Sequence, residues 1–436
     1  MIFRLARNIS RCRPMVTKGL NRAYFSVLKA NYDNASRSKK LNVQNVQQAG
    51  GSRMLNVTWN NDTVSRFPFV FLRDNCQCSE CFHESSLQRT YDTFNKLDMY
   101  IQPQRVEVLQ NGEQISITWP DKHVSLFSSQ WLHSSQATEQ ANTTKERSSL
   151  QREGVRVWNG NKLQGKIPSY SFQDVIEDDF TLYEWLHSLH SVGIALLKNT
   201  PRQPGECNQL CARVGYTKTT NFGYCFEVHT KLNANNLAYT SLFLPPHTDM
   251  PYHDYVPGVQ LLHCIEQVLS EGGGNQFVDG FYVAEELREK DPEAFKLLST
   301  TRIPFTAKGI DIFGEFHTKF ARHIIELDEN ENIVRFSCNN PTRDSGLHVS
   351  PEKTIQLYEA YLTIGKMIAD PANQIEHKML PGEVVTFNNS RVLHGRSSFI
   401  VNKQTKRYLQ GFYLDWDVIY SRLRVLAKQF NIPFRI

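Results

Sequence analysis

Apolar and polar residues alternate in short stretches near the start of the chain, a pattern typical of strands with one buried face. One such stretch covers residues 54–59 and another covers residues 106–119. Asn111-Gly112 interrupts the second stretch, and this dipeptide favours a tight hairpin turn. We therefore predict a small β domain over about residues 50–132.

A polar segment follows this domain. Residues 133–153 contain few apolar side chains and have no periodicity, which is typical of a linker or a long surface loop. We predict a linker over residues 133–165 and a second domain over residues 166–425. No internal repeat is evident along the chain.

The second domain contains many apolar runs of strand length and a few longer helical patterns. Predicted strands cover residues 193–197, 242–244, 259–265, 277–278, 384–387 and 408–414. Predicted helices include residues 182–186, about 282–299 and 351–369. The last helix has Ser350 as a candidate N-cap and Pro351 in its first turn. This order predicts a mainly β fold, a sandwich or jelly roll with helical insertions, and not alternating βαβ units.

Composition and charge narrow the possible partners. The chain has 436 residues, of which 40% are hydrophobic and 21% are charged, so it can bury a large core. Its net charge is +5, yet residues 1–32 alone hold seven Lys and Arg and no acid, which leaves −2 for the remainder. A nucleic-acid-binding surface is therefore not expected. A membrane span is not expected either, because no apolar run approaches the length of about 18 residues.

The basic start has its own interpretation. An acid-free segment in which Arg alternates with apolar residues is typical of a mitochondrial transit peptide, and a disordered basic tail is the alternative. Arg22-Ala23-Tyr24 before Phe25 resembles a matrix-protease cleavage site, so we predict a transit peptide over residues 1–24 and location in the matrix. The nine cysteines would then lie in a reducing compartment and would not form a disulfide framework.

Three of these cysteines fall within six residues, at Cys76, Cys78 and Cys81. In a reducing compartment this density indicates a metal site, most simply zinc, with three unrelated cysteines as the alternative. A tetrahedral site needs a fourth ligand. His123, just past the predicted hairpin, is the best candidate, since His83 follows Cys81 more closely than zinc spacing usually allows. Four protein ligands leave no open position, so we predict a structural role.

A second candidate metal site lies in the later domain. His247-Thr248-Asp249 places an imidazole and a carboxylate on one side of a strand, because residues two apart share a face. His394, in Val392-Leu393-His394-Gly395-Arg396, would complete two His and one carboxylate, which leaves octahedral positions open as in non-haem Fe(II) oxygenases. Arg407 follows His394 by 13 residues, and its guanidinium could anchor the carboxylate of a keto-acid cosubstrate.

Several segments between about residues 50 and 425 resemble the family of γ-butyrobetaine dioxygenase and trimethyllysine dioxygenase, iron and 2-oxoglutarate enzymes of carnitine biosynthesis. The matching segments are Phe71-Leu72-Arg73-Asp74-Asn75-Cys76, Trp119-Pro120-Asp121-Lys122-His123, Asn235-Asn236-Leu237-Ala238-Tyr239, His247-Thr248-Asp249, Val259-Gln260-Leu261-Leu262-His263-Cys264, Val278-Asp279-Gly280-Phe281 and Arg391-Val392-Leu393-His394-Gly395-Arg396. In combination these motifs are specific to the family.

The resemblance implies a cupin-like double-stranded β-helix in which the predicted triad binds Fe(II) and Arg407 holds 2-oxoglutarate. It also implies a zinc site formed by the three clustered cysteines and His123. O2 as a cosubstrate, ascorbate as a reductant and assembly as a homodimer are further implications. The reaction expected from the resemblance is hydroxylation of γ-butyrobetaine at C3 to give carnitine, with 2-oxoglutarate converted to succinate and CO2.

The substrate of this reaction carries a quaternary ammonium group, which donates no N–H hydrogen bond and is held by aromatic faces. By resemblance to the butyrobetaine branch, Asn236 and Asn339 are expected near the substrate carboxylate. Tyr239 and Tyr413 match tyrosines of the aromatic cage in that branch.

Two positions of the expected cage depart from the branch. Phe222 and Phe226 stand where the branch usually has a tyrosine and a tryptophan, which keeps two π faces but removes the phenol and the indole. A third departure is Asn388-Asn389-Ser390, where the family more often has Asp-Asn-Trp. The first two could weaken butyrobetaine binding or mark a different amine, and packing in the core is the alternative role for each aromatic ring.

Three other functions remain open from the sequence. A trimethyllysine dioxygenase would agree with the mitochondrial start, although Asn236 and the segment 339–344 favour the butyrobetaine branch. A mononuclear zinc hydrolase could use two His and one carboxylate, but it would not need Arg407. A non-catalytic module that binds a small molecule could retain the same metal fold.

Overall fold

The computed structural model describes residues 41–49, 52–83, 88–135, 154–229, 241–268, 271–400 and 407–433. The predicted transit peptide lies outside these residues, as does most of the predicted linker. The chain forms two compact units, residues 1–141 and residues 142–436. Within the described residues, no helix is both long enough and apolar enough to cross a membrane.

The strands, in chain order, are β1 (Val43–Gln48), β2 (Met54–Trp59), β3 (Val64–Pro68), β4 (Phe82–His83), β5 (Gln88–Arg89), β6 (Arg105–Leu109), β7 (Gln114–Thr118), β8 (Val124–Ser128), β9 (Ser169–Ser171), β10 (Ile194–Lys198), β11 (Phe226–Val228), β12 (Leu244–His247), β13 (Val259–Glu266), β14 (Asn275–Asp279), β15 (Ile303–Asp311), β16 (Gly314–Arg322), β17 (Ile325–Leu327), β18 (Ile333–Phe336), β19 (Gln374–His377), β20 (Val384–Asn388), β21 (Val392–Arg396) and β22 (Tyr408–Leu414). The α-helices are α1 (Phe69–Asp74), α2 (Thr93–Lys96), α3 (Ser129–Ser135), α4 (Gly160–Leu163), α5 (Phe172–Glu177), α6 (Asp179–Ser191), α7 (Cys207–Val214), α8 (Gly280–Lys290), α9 (Pro292–Thr300), α10 (Pro351–Ala369) and α11 (Trp416–Gln429). Short 3₁₀ turns cover Gln110–Gly112, Asn340–Thr342 and Pro371–Asn373.

The first unit is built on two three-stranded antiparallel sheets, β1-β2-β3 and β6-β7-β8. The alternation in the sequence gives each sheet one apolar face, and these faces share a core. Leu55 and Trp59 enter that core from the first sheet, and Ile115 and Trp119 enter it from the second. The predicted β character of this region is therefore confirmed by its sheets.

The two sheets are copies of one local structure, so the expectation of no internal repeat is wrong. The indole of Trp59 donates to Ser65 Oγ at 2.7 Å, and that of Trp119 donates to Ser125 Oγ at 2.9 Å, 60 residues later. Further pairs with this spacing are Leu55 and Ile115, Val57 and Ile117, Asp62 and Lys122 (both at positive φ), Phe67 and Phe127, and Leu72 and Leu132. The repeat escapes notice in the sequence because its identical residues, among them the Trp, Ser, Phe and Leu pairs, are scattered among unlike ones.

The turn between β6 and β7 is longer than a two-residue hairpin turn. Leu109 pairs with Gln114, so four residues form the loop. Gln110, Asn111 and Gly112 all have positive φ. A Cβ on Gly112 would lie 2.2 Å from the carbonyl oxygen of Val43. Glycine at this position therefore permits both the turn and the close approach of the backbone to β1.

The second unit contains a six-stranded sheet in the order β11-β22-β13-β20-β10-β9 and a four-stranded sheet in the order β12-β21-β14-β19. Apolar side chains of both sheets meet in one core, with Leu262 and Leu409 from the larger sheet and Phe277 and Val392 from the smaller. On its other face the larger sheet packs against helices α5, α6, α7 and α11. The predicted fold, a double-stranded β-helix with helical insertions, is confirmed.

One predicted helix is two helices. The pattern over residues 282–299 predicted a single element, but α8 ends at Lys290 and α9 begins at Pro292. Asp291 caps α9 by accepting a hydrogen bond from the amide of Ala294 at 3.0 Å. A residue before proline is disfavoured in helical conformation, which explains the break.

A fully buried ion pair joins the two strands that lead to the candidate site. Arg391 precedes β21 and donates to the carboxylate of Asp279, at the end of β14, through Nε at 2.9 Å and Nη2 at 2.7 Å. Both side chains are 0% exposed. The same carboxylate accepts from the backbone amides of Trp158 and Phe281, so four donors converge on Asp279.

Asp279→Asn is expected to destabilise the second unit strongly. The variant leaves the guanidinium of Arg391 buried without a counter-charge, and breaking a buried pair in this way costs about 3–5 kcal/mol. The measurement is the free energy of unfolding in urea. Glu286→Gln is the matched control, since Glu286 pairs at 2.7 Å with the exposed Lys290 and should change stability little. Equal, small effects in the two variants would contradict this role of the buried pair.

Candidate functional site

Pairing of β12 with β21 brings the two distant histidines of the predicted triad together. His247 lies directly opposite His394 in the antiparallel register, and their ring centroids are 4.4 Å apart. Asp249 Oδ1 lies 3.3 Å from His247 Nε2 and 3.7 Å from His394 Nε2. The three side chains offer one ligand atom each, all within 4.8 Å of one another, so they can share a metal ion.

Asp249 reaches this position from a turn and not from a strand. β12 ends at His247, so strand periodicity, on which the sequence argument relied, does not orient the carboxylate. Instead Asn389 holds the turn: its Oδ1 accepts from the Asp249 amide at 2.7 Å, and its Nδ2 donates to the Asp249 carbonyl at 3.0 Å. Asn389 was identified in the sequence only as part of a departure from the family pattern.

The protonation of the triad suits metal binding. Nδ1 of His247 lies 2.9 Å from the carbonyl oxygen of Pro245, a contact that places the ring proton on Nδ1 and leaves the lone pair of Nε2 for a metal. Burial, with the nearby charge of His247, lowers the pKa of His394 to about 3, so its imidazole is neutral near pH 7.

The carboxylate of Asp249 is ionised in this setting. Burial acts to raise its pKa, but at low pH, where the imidazoles are protonated, the charges of His394 and His247 and hydrogen bonds from His247 and Tyr413 outweigh burial and hold the pKa far below its usual value. The hydroxyl of Tyr413 donates to Asp249 Oδ2 at 2.7 Å. Oδ1 therefore remains the oxygen that faces the two imidazoles.

A cavity of about 430 Å³ opens beside the triad. It also contains most of the other residues predicted for the site: Phe222, Phe226, Asn339, Arg407 and Tyr413. Asn236 and Tyr239 lie outside the described residues. The cavity therefore unites a candidate metal site, a buried cation and a group of aromatic rings.

Alternation along two paired strands produces this lining. In β22, Leu409 and Tyr413 face the cavity, and Arg407, two residues before Leu409, points to the same side. Gln260 and Leu262 of β13, which pair with Tyr413 and Gly411, also line the cavity.

The aromatic residues form a stack on one wall of the cavity. The rings of Phe226 and Tyr413 are stacked at 5.1 Å with an interplanar angle of 24°, and Phe222 lies 6.3 Å from Phe226. Phe226 pairs with Gly411 across β11 and β22, and a Cβ on Gly411 would lie 2.0 Å from the Phe226 ring. Glycine at this position thus lets the ring lie flat against the sheet.

Asn339 lines the cavity, but its amide already has structural partners. Nδ2 donates to the carbonyl of Thr248 at 3.0 Å, and Oδ1 accepts from the amide of Thr342 at 3.2 Å. Asn339 therefore fixes the His-Thr-Asp segment to the turn at 340–342. One amide hydrogen of Nδ2 remains available in this arrangement for a ligand.

Arg407 has the properties of an anion-binding group. Burial and the charge of the neighbouring Arg396 lower its pKa to about 10, and among the described residues its Nε finds no hydrogen-bond partner. A buried guanidinium donor without a partner is costly. A carboxylate in the cavity would satisfy it, so the donor set fits a carboxylate group of 2-oxoglutarate.

Several further polar residues of the cavity were not assigned to the site from the sequence, among them Arg396, Gln260 and Asn275. Arg396 follows His394 by two residues in β21 and so shares its face, a signal that could have identified it; it donates to the carbonyl of Leu242 at 2.7 Å. Gln260 and Asn275 had no such signal. Oε1 of Gln260 and Oδ1 of Asn275 are buried and have no partner within the described part of the chain.

The predicted cysteine cluster assembles in the first unit. The Sγ atoms of Cys76, Cys78 and Cys81 lie 3.3, 3.6 and 3.6 Å from Nε2 of His123. A tetrahedral zinc ion with ordinary bond lengths would separate sulfur and nitrogen ligands by about 3.6 Å. The four ligands thus have the spacing that zinc requires, whereas the side chain of His83 lies outside the described residues.

Arg73 supports this cluster. The guanidinium is buried and donates to Cys81 Sγ at 3.6 Å and to Asp121 at 3.2 Å, and it lies over the ring of Tyr91. Three thiolates and one neutral imidazole around Zn²⁺ carry a net charge of −1, which a guanidinium offsets. Arg73 therefore completes the polar surroundings of the candidate zinc site.

Models of known protein families match segments of both units. A family model described as "Taurine catabolism dioxygenase TauD, TfdA family" matches residues 160–413. A second model, described as "Gamma-butyrobetaine hydroxylase-like, N-terminal", matches residues 46–133.

Similar proteins extend over most of the chain. A γ-butyrobetaine dioxygenase of Pongo abelii is 38% identical over 89% of this chain and 98% of its own. The γ-butyrobetaine dioxygenase of Homo sapiens is 37% identical with the same coverage. A mitochondrial trimethyllysine dioxygenase of Mus musculus is 30% identical over 86% of this chain and 89% of its own.

Proposed function

Because this chain belongs to the taurine catabolism dioxygenase TauD, TfdA family and is similar over most of its length to γ-butyrobetaine dioxygenases, we propose that it hydroxylates γ-butyrobetaine at C3 to give L-carnitine. It is an Fe(II)- and 2-oxoglutarate-dependent dioxygenase with a small-molecule substrate and O2. The observation that carries the proposal is one cavity that joins the His247, Asp249 and His394 triad to Arg407 and to the stacked rings of Phe226 and Tyr413.

In this proposal the triad holds Fe(II) and Arg407 binds the distal carboxylate of 2-oxoglutarate. Iron with 2-oxoglutarate and O2 supplies the oxidising power, and 2-oxoglutarate leaves as succinate and CO2. The protein keeps the triad in one protonation state: Pro245 fixes the tautomer of His247, and Tyr413 holds one oxygen of Asp249. The other oxygen then has a fixed direction toward the metal position.

The remaining residues orient the substrate. The faces of Phe222, Phe226 and Tyr413 would contact the trimethylammonium group, and Asn339 would donate its remaining amide hydrogen to the carboxylate. Asn236 and Tyr239 are assigned to the same two groups by resemblance alone. Holding both ends of a short chain restricts which carbon can approach the metal, and such positioning is a large part of the rate enhancement.

The test of substrate choice is direct competition. Protein without residues 1–24 is supplied with Fe(II), ascorbate, 2-oxoglutarate and equal concentrations of γ-butyrobetaine and trimethyllysine, and the hydroxylated products are separated by mass spectrometry. We expect carnitine to predominate. If hydroxytrimethyllysine predominates, trimethyllysine and not γ-butyrobetaine is the preferred substrate. If succinate forms without either hydroxylated product, the protein is a dioxygenase whose substrate is a different molecule.

Arg407→Met is expected to raise the KM for 2-oxoglutarate by about 10- to 100-fold, because charged hydrogen bonds to a carboxylate contribute about 1.5–3 kcal/mol. The KM for γ-butyrobetaine should change much less. Arg407→Lys should recover only part of the loss, since lysine cannot present the planar fork. Arg302→Met, at an exposed arginine outside this cavity, is the control. An unchanged KM for 2-oxoglutarate in Arg407→Met would contradict the assignment.

We further propose that Cys76, Cys78, Cys81 and His123 bind a structural zinc ion, supported by their distances. Residues 1–24 are proposed as a transit peptide for the mitochondrial matrix, supported by their Arg-rich, acid-free composition. The second proposal is tested by fusing these residues to a fluorescent protein, which should then be imported into mitochondria.

The enzyme is further proposed to be a homodimer and to bind no nucleic acid. The family resemblance supports the first of these assignments, and the charge of −2 outside the basic start supports the second. Light scattering should give about twice the chain mass of 50.3 kDa. A mass of a single chain would reject the dimer.

A further inference from the structure

A long hairpin forms one wall of the catalytic cavity. β15 and β16 pair over nine residues each, from Ile303 with Arg322 to Asp311 with Gly314. Within the described strands they form a sheet of two. Phe305, near the base, is buried, whereas Ile310, Ile312 and Phe313 around the tip are 66–73% exposed. Between base and tip, Thr306, Ala307, Lys308 and Phe316 line the cavity.

The pairing register determines on which face of the hairpin the ring of Phe316 lies. Residues directly opposite in an antiparallel pair share a face, and Phe316 lies opposite Gly309. Ala307, two residues from Gly309, lies on this face as well. A Cβ on Gly309 would come within 3.4 Å of the Phe316 ring, so the ring lies over the glycine, on the same face of the hairpin as Ala307.

The hairpin also touches the segment that carries two rings of the proposed cage. Gly223 has φ of +98°, and a Cβ there would lie 2.7 Å from Ile312 Cδ1. Gly223 directly follows Phe222, which packs against Phe226. The tip of the hairpin therefore contacts this segment, and Phe316 shares one cavity with Phe222, Phe226 and Tyr413.

We propose that Phe316 is a specificity-determining residue whose ring forms the hairpin side of the quaternary-ammonium site; this rests on the function proposed above. A trimethylammonium group presents a positively charged surface in several directions, so faces from more than one wall contribute to its binding. Phe226 offers a weaker π face than the tryptophan usual in the branch. A ring on the hairpin supplies another face and makes recognition depend on the hairpin as well as on the sheet.

The test compares Phe316→Leu with Phe316→Tyr and with Phe313→Leu, which removes an exposed ring from the same hairpin. Dissociation constants are measured by calorimetry under anaerobic conditions in the presence of Fe(II) and 2-oxoglutarate. The ligands are γ-butyrobetaine and its isostere 5,5-dimethylhexanoate, in which a neutral tert-butyl group replaces the trimethylammonium group. Carnitine formation by the unsubstituted enzyme is measured first, because its absence would reject the proposed function independently of Phe316.

We expect Phe316→Leu to weaken γ-butyrobetaine binding roughly 3- to 30-fold, the range of a cation–π contact, and to affect the isostere much less. Phe316→Tyr should bind as the unsubstituted enzyme does, since the π face is kept. Phe313→Leu should also be unchanged. Unchanged binding in Phe316→Leu, an equal loss for the isostere, or an equal loss in Phe313→Leu would each overturn the proposal.

Discussion

Asp249→Ala is expected to reduce carnitine formation by at least about 1,000-fold, equivalent to about 4 kcal/mol of transition-state stabilisation. The carboxylate is the only anionic member of the triad, and without it two neutral imidazoles remain for Fe(II). The fold should persist, because Asn389 contacts the backbone of Asp249 and not its side chain. Iron content after gel filtration and the rate of carnitine formation are the two measurements.

Asp249→Asn removes the negative charge of the side chain but keeps its shape. Asparagine can still accept the hydrogen bond from Tyr413, yet it lacks the negative charge that the metal requires. We therefore expect both Asp249→Asn and Asp249→Ala to lose bound iron. Asp254→Ala removes an exposed carboxylate five residues downstream and should retain iron and activity. Full activity in Asp249→Ala, with iron bound, would show that the metal has other ligands.

Removal of the proposed zinc ion is expected to unfold the first unit. A structural zinc site contributes about 10 kcal/mol or more to the folded state, and this unit has only a small core to compensate for its loss. Chelation of the metal, or Cys81→Ser, should therefore abolish the sheet signal of an isolated fragment covering residues 41–135 or lower its melting temperature sharply. Metal analysis of the intact chain should give one zinc ion.

A matched cysteine provides the control for this prediction. Cys225→Ser changes a half-buried thiol in the second unit and should leave the zinc content at one. Arg73→Met keeps all four ligands but removes the guanidinium beside Cys81, so it should weaken zinc binding without abolishing it. Two results would contradict the structural role: an intact chain that is purified without zinc, or a chain whose stability does not change when zinc is removed by chelation.

The sequence predicts the elements of the site better than their geometry. His394 and Arg407 could be found because each lies in or next to an apolar strand where alternation determines the buried face. The cysteine cluster could be found because its spacing is local. Fold class also follows from local patterns, since short strands and capped helices are properties of neighbouring residues.

Features that depend on distant contacts could not be predicted. Asp249 is held by Asn389, 140 residues away, and no local pattern identifies that partner. Phe316 lies in a hairpin whose tip is exposed, so its alternation gives no sign that the ring faces a cavity. The repeat in the first unit is recognised from shared hydrogen bonds and backbone angles, because its identical residues are scattered along the sequence.

The central claim is that this chain uses O2 to hydroxylate γ-butyrobetaine, and isotope labelling tests it most directly. Purified protein is supplied with Fe(II), ascorbate, 2-oxoglutarate and γ-butyrobetaine under ¹⁸O2, and both products are examined by mass spectrometry. We expect carnitine and succinate in equal amounts, with label from ¹⁸O2 in the C3 hydroxyl of carnitine and in the new carboxylate of succinate. Labelled succinate with no carnitine, or carnitine without label, would contradict the claim.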